Sequence, residues 1–164
     1  MRNMQPDNIA PLSEKDRIAM LNEHIPYRES LLRDGVRPAW VPPCQHTNQA
    51  FEAGTVSGRI LLSFLGLEYD KKTGLLKKDR GHIADKGITD DVKAPDIGGR
   101  LAELDELLPE ETETLARFIH GANKACAHFT INSGHALTPD TYHRAVPIIC
   151  RLLESCLPKF KSPV

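Results

Sequence analysis

The chain has 164 residues, a formal net charge of -1, and 40% hydrophobic, 26% charged and 5% aromatic residues. A chain of that length buries about 70% of its unfolded surface and fits one domain with its own core. The balanced charge excludes a global field toward nucleic acid or an acidic membrane, the aromatics are too few for a base-stacking platform, and no apolar stretch approaches the roughly 20 residues of a membrane span.

Residues 1–12 read as a loose polar arm without the apolar core of a signal peptide, 13–158 as a single helical domain, and 159–164 as a C-terminal tail. Ser13 opens the first helix, with Asp16 three residues on as a box-like capping partner, and Ile18, Leu21 and Ile25 form its stripe. Pro26 has no N–H to give, so the helix is expected to kink or restart there. A second piece, Tyr27 to Arg33, carries Leu31 and Leu32 and stops at Asp34-Gly35, and the three prolines of Pro38–Pro43 make an extended connector.

The clearest helix spans about Thr47 to Leu65, with Ala50, Ala53, Val56, Ile60, Phe64 and Leu67 recurring at three- and four-residue steps. Ala50, Gly54 and Gly58 line a small-residue ridge on it. A helical glycine costs about 1 kcal/mol, so this ridge predicts a closely packed neighbour, either within the chain or in a second subunit. Residues 70–108 have no strong periodicity; Thr73-Gly74 fits a hairpin turn and Leu101–Leu108 a short helix. Pro109 and Glu110, Glu111 and Glu113 then open a helix to about residue 130, which buries Leu115, Phe118, Ile119, Ala122, Cys126 and Phe129. Thr138-Pro139-Asp140 caps the last helix, which carries Tyr142, Ala145, Ile149, Leu152, Leu153 and Cys156, with a kink expected at Pro147 and an end at Pro158. The pattern predicts an all-α fold, an up-and-down bundle of four main helices with an irregular 70–108 insertion.

Charge is segregated along the chain. Residues 70–86 hold six Lys/Arg against three Asp/Glu, residues 88–113 hold nine Asp/Glu against two Lys/Arg, and residues 114–164 hold six basic against two acidic. Cys44, Cys126, Cys150 and Cys156 fit free thiols in a reducing cytoplasm. Cys44/His46 and Cys126/His128 share a C-x-H spacing, but zinc sites favour other spacings, so no metal and no cofactor is expected and a metal-binding bundle is the least favoured alternative.

On a helical wheel Arg117, His120, Lys124 and His128 fall within roughly 80° of one another, opposite the apolar stripe. A histidine beside cations can move the 2′-hydroxyl proton of RNA while the cations steady charge on phosphorus. The competing reading of the same row is a solvated helix face. Asn123 borders the stripe as a candidate orienting residue, and Asp90, Asp91 and Asp96 can cap or clamp against Arg59 or Lys124. No dinucleotide loop, Walker pattern or G-x-S-x-G elbow occurs.

Three segments carry a resemblance: Arg59-Ile-Leu-Leu-Ser-Phe64-Leu65, Thr89-Asp90-Asp91-Val92-Lys93-Ala94-Pro95-Asp96, and Ala122-Asn123-Lys124-Ala-Cys-Ala127-His128-Phe-Thr130. In that order they resemble bacterial helical bundles similar to the HEPN superfamily, which often bind or cut RNA in defence and toxin systems. They cover about a sixth of the chain. The resemblance implies His128 and Lys124 as the catalytic pair, with Asn123, Arg117, His120 and Arg59 in binding. HEPN ribonucleases are usually recognised by R-x(4–6)-H; here the position four residues before His128 is Lys124, which keeps the charge without the forked donors, and the nearest upstream arginine, Arg117, lies eleven residues before it. The expectation is a dimeric, cytoplasmic, RNA-binding or RNA-cleaving bundle, a metal-independent ribonuclease if it is an enzyme. The alternative is a non-catalytic interaction bundle that pairs with itself or another protein; neither reading involves a membrane.

Overall fold

The computed structural model describes residues 12–36, 45–79, 92–127 and 137–158. Five α-helices, α1 (Glu14–Ala19), α2 (Ile25–Asp34), α3 (Gln45–Phe64), α4 (Pro109–Ala127) and α5 (Pro139–Cys156), surround the core. A two-stranded antiparallel hairpin, β1 (Leu67–Tyr69) and β2 (Leu76–Lys78), lies between α3 and α4 in sequence. Because α1 runs into α2, the architecture is the all-α bundle of four main helical arms, with the hairpin and two 3-10 turns forming its irregular insertion. None of the described helices is long and apolar enough to cross a membrane.

Ser13 caps α1: its hydroxyl accepts from the Asp16 N–H at 3.2 Å and donates to the Asp16 carboxylate at 2.6 Å. At Pro26 the α-helix restarts: α2 begins at Ile25, with Pro26 in its first turn where a missing N–H costs least. A five-residue π turn, Met20–His24, joins α1 to α2, and the Ile25 N–H reaches back to the Met20 carbonyl. The wider turn makes room where the proline ring would press on the carbonyl four residues back, and it shifts the bonding frame so that the missing N–H is not missed.

The buried side of α3 differs from the predicted stripe. Val56 and Ile60 are 37% and 39% exposed, whereas Gly54, Thr55, Ser57, Gly58, Leu61, Leu62 and Leu65 are buried. The small-residue ridge decides this orientation. It lets α2 approach so closely that a Cβ on Gly54 would stand 2.9 Å from the Leu31 carbonyl oxygen, and one on Gly58 would stand 2.6 Å from the Phe118 ring. Thr55 tolerates burial because its hydroxyl donates to the Phe51 carbonyl at 2.7 Å. The ridge is therefore consumed within the chain.

Tyr142 of α5 ties these arms together. Its ring is fully buried, 4.9 Å from Phe51 and 5.8 Å from Phe118 between centroids. Its hydroxyl donates to the Leu32 carbonyl at 2.7 Å. Burial pushes the phenol well above its ordinary pKa, so it stays a neutral donor. Tyr142→Phe leaves that carbonyl in an apolar surround and is expected to cost about 1–3 kcal/mol in urea unfolding. An unchanged midpoint would mean the bond contributes nothing net.

The helix α5 continues through Pro147, which sits on an exposed position. Water can reach the His143 carbonyl that has no donor there, so the helix is not interrupted. The hairpin turns at Thr73-Gly74 as expected, with Gly74 at φ 74°. Leu101–Leu108 does not form a helix beyond the 3-10 turn Leu104–Glu106. The Ala102 N–H is engaged by the Leu65 carbonyl at 3.0 Å, which draws the segment out along the end of α3 instead.

Candidate functional site

The α4 helix sets the candidate face. Its first turn is held by Glu111, whose carboxylate accepts the Leu108 N–H at 3.0 Å and also pairs with Arg151 of α5 at 2.7 Å. Leu115, Ala116, Phe118, Ile119 and Ala122 are buried, which turns Glu113, Arg117 and Lys124 to solvent with His120 and Asn123 half-buried at the edge. The predicted row thus shares one face as far as Lys124. His128 lies outside the described residues.

Two details change the row's character. Arg117 is 68% exposed and bonded to Glu113 at 2.5 Å, one helical turn back. Such an exposed pair is weak and screened, so the guanidinium remains recruitable, but the face is of mixed sign. His120 is not an open imidazole: its ring packs on Tyr69 of β1, 4.7 Å between centroids at 44°.

That ring contact brings in residues which sequence reasoning left apart. It packs the hairpin on α4, and the turn after Tyr69 carries exposed Lys71 and Lys72. The turn is built firmly around Asp70. Its carboxylate accepts the Lys72 N–H at 2.9 Å, its carbonyl accepts from Gly74 at 2.8 Å, and its N–H donates to Leu75 at 2.9 Å. The Lys72 amide bond is the main cause holding the Asp70 carboxyl below the usual carboxylate range. Lys77 is exposed on the outward side of β2, 3.6 Å from Glu68, and Lys78 pairs with Glu103 at 2.5 Å. The signal for this convergence was present in the basic run 70–86, but the partner surface was not.

The remaining expected residues lie elsewhere. Arg59 is exposed on α3 between Val56 and Ile60, and among the described residues no bond joins it to the α4 row. Asp96 does not clamp Arg59 or Lys124. Its carboxylate accepts the Lys93 N–H at 2.7 Å and caps the 3-10 turn Ala94–Ile97. Asp90, Asp91 and Cys44 lie outside the described residues, as do the side chains of His46 and Cys126. Among the described residues no group of His, Cys, Asp or Glu could hold a metal ion. Cys150 and Cys156 are buried free thiols, and burial pushes Cys150 up, away from the reactive thiolate.

Lys93, which precedes the 3-10 turn Ala94–Ile97, is 4% exposed. Its ammonium donates to the Ser63 carbonyl at 2.8 Å, to the Ser63 hydroxyl at 3.2 Å and to the Asp79 carboxylate at 2.8 Å. Three donors thus meet three acceptors, at the carbonyl-rich end of α3 where a cation is favoured. Ser63 is thereby a structural partner, accepting from the Lys93 ammonium at both its carbonyl and its hydroxyl. Nothing in the local sequence marks this lysine for burial.

Compared with models of known protein families, with curated proteins and with solved structures, the chain matches none.

Proposed function

We propose that the chain is a HEPN-like bundle that binds RNA through the face made by α4 and the hairpin turn, without cutting it. The observation carrying this reading is the Tyr69–His120 ring contact, which packs the hairpin that bears exposed Lys71 and Lys72 on the helix that bears exposed Lys124. Cations on a braced turn and a rigid helix suit a phosphate backbone. The lack of an arginine at the family's spacing before His128, with Lys124 as the nearest cation, favours binding over cleavage.

The test is a mixed pool of labelled RNA titrated at low and moderate salt. The Lys71→Ala/Lys72→Ala double variant and Lys124→Ala should each weaken binding across all sequences and flatten the salt dependence, by roughly one unit of log–log slope for each phosphate the variant no longer neutralises. Binding that ignores salt removes the reading. Cleavage by the wild type that is abolished in His128→Ala replaces it with the metal-independent ribonuclease.

A second reading, a bundle that pairs with itself or a protein partner, has one observation in its favour: Val56 and Ile60 flank Arg59 on the outer side of α3. It requires a dimer or complex in solution that Ile60→Asp dissociates, measured by light scattering.

A further inference from the structure

With Gly54, Gly58, Leu61 and Leu65 turned to the core, α3 presents Glu52, Val56, Arg59 and Ile60 to solvent. At 100° per residue these four positions fall within about 100° of one another. Val56 and Ile60 are β-branched, apolar and one turn apart, so they form a small apolar centre on the outer side of the helix. Glu52 precedes that centre and Arg59 lies about 10 Å further along the helix axis, with the opposite charge. Neither makes an ion pair among the described residues.

Such a stripe complements itself only when inverted. Glu52 stands four residues before Val56 and Arg59 three after it. A two-fold axis beside Val56 therefore runs two α3 helices antiparallel, sets Val56 against its own copy and places each Glu52 opposite the partner subunit's Arg59. A parallel pairing would set glutamate on glutamate and arginine on arginine, which repels. The charges thus select one orientation, and opposite charges at the rim fix its register.

We propose that α3 pairs antiparallel with α3 of a second copy of this chain, with Val56 and Ile60 at the centre and two Glu52–Arg59 ion pairs at the rim. This rests on the reading of the chain as an interaction bundle and commits it to one partner and one orientation; it does not depend on RNA. Two apolar residues from each copy make a small interface, so the dimer is weak, of micromolar affinity or lower, and weakens further with salt.

Sedimentation velocity of the full chain over a concentration series at low salt tests it, with circular dichroism confirming that each variant, altered only at exposed positions, keeps its helices. The wild type should dimerise. Glu52→Arg and Arg59→Glu should each weaken the dimer about tenfold or more, because either one turns both cross-pairs into like-charge contacts. Glu52→Arg combined with Arg59→Glu rebuilds both pairs with the signs exchanged and should restore the wild-type affinity. A dimer that Ile60→Asp dissociates but the charge reversals leave intact, or reversals that the combined variant does not rescue, overturn the antiparallel pairing while the interaction-bundle reading stands. A wild type that stays monomeric at every concentration overturns the proposal outright, and that reading then survives only through a complex with another protein that Ile60→Asp dissociates.

Discussion

Lys93→Ala is expected to lower the unfolding free energy by about 3–5 kcal/mol, the usual effect of removing one partner from a buried ion pair. The reason is what stays behind. The Asp79 carboxylate is itself largely buried, 14% exposed, and would be deprived of the ammonium 2.8 Å away. Ser63 would be left without that donor at both its carbonyl and its hydroxyl, at the end of α3 that Gly66 closes by donating to the same carbonyl at 2.9 Å. For a chain of this size the change amounts to a fall in Tm of about 10 °C. Lys93→Met keeps the packed stem but removes the ammonium from Asp79 and Ser63, so it should cost nearly as much. Lys93→Met combined with Asp79→Leu removes both charges and should recover part of the stability. Urea unfolding of the four proteins measures this series, and a decrease below about 1 kcal/mol for Lys93→Ala would show that the ammonium escapes to water.

Gly58→Leu is the second large effect, expected to cost about 3 kcal/mol or to prevent folding, at the upper end of overpacking penalties. A Cβ alone at this position meets Phe118 at 2.6 Å and Leu32 at 3.0 Å, and a leucine adds three more carbons into the same space. Phe118 cannot retreat, because it is fully buried against the Tyr142 ring. Gly58→Ala is the informative companion. It gains about 1 kcal/mol of helix propensity but sets one Cβ 2.6 Å from a ring that cannot move away, so it should still destabilise, by less than the leucine. A leucine variant as stable as the wild type would mean that the α2–α3 approach is looser than the ridge implies. The experiment also separates the two origins considered for the ridge, since folding fails even where no second subunit is present.

Much of the helical framework was legible from local signals that act over one or two turns. The Ser13 and Thr138 caps, the acidic opening of α4, the glycine of the hairpin turn and the stripes of α4 and α5 each depend on neighbours three or four residues away. Periodicity misled on α3 for an identifiable reason. It counts Val56 and Ile60 as core because they are large and apolar, whereas the closest packing in this bundle needs Gly54 and Gly58 on the inside. At Pro26 the missing donor was recognised, but not that a π turn could absorb it.

The candidate site divides the same way. That Arg117, His120 and Lys124 share a face follows from the 100° advance of a helix and required no structure. That the hairpin bearing the lysines at 71 and 72 packs on the same helix follows from the contact of Tyr69 with His120, 51 residues apart in sequence, and spacing along a chain does not encode such a meeting. The same distinction explains Lys93. Its charge is tolerated inside only because the end of α3, 30 residues before it, and Asp79, 14 residues before it, converge on one ammonium. The sequence by itself determined the helices, their caps and the identity of the cations. The tertiary structure alone decided which cations face water and which is locked in the core, because the cost of burying a charge depends on acceptors gathered from distant parts of the chain.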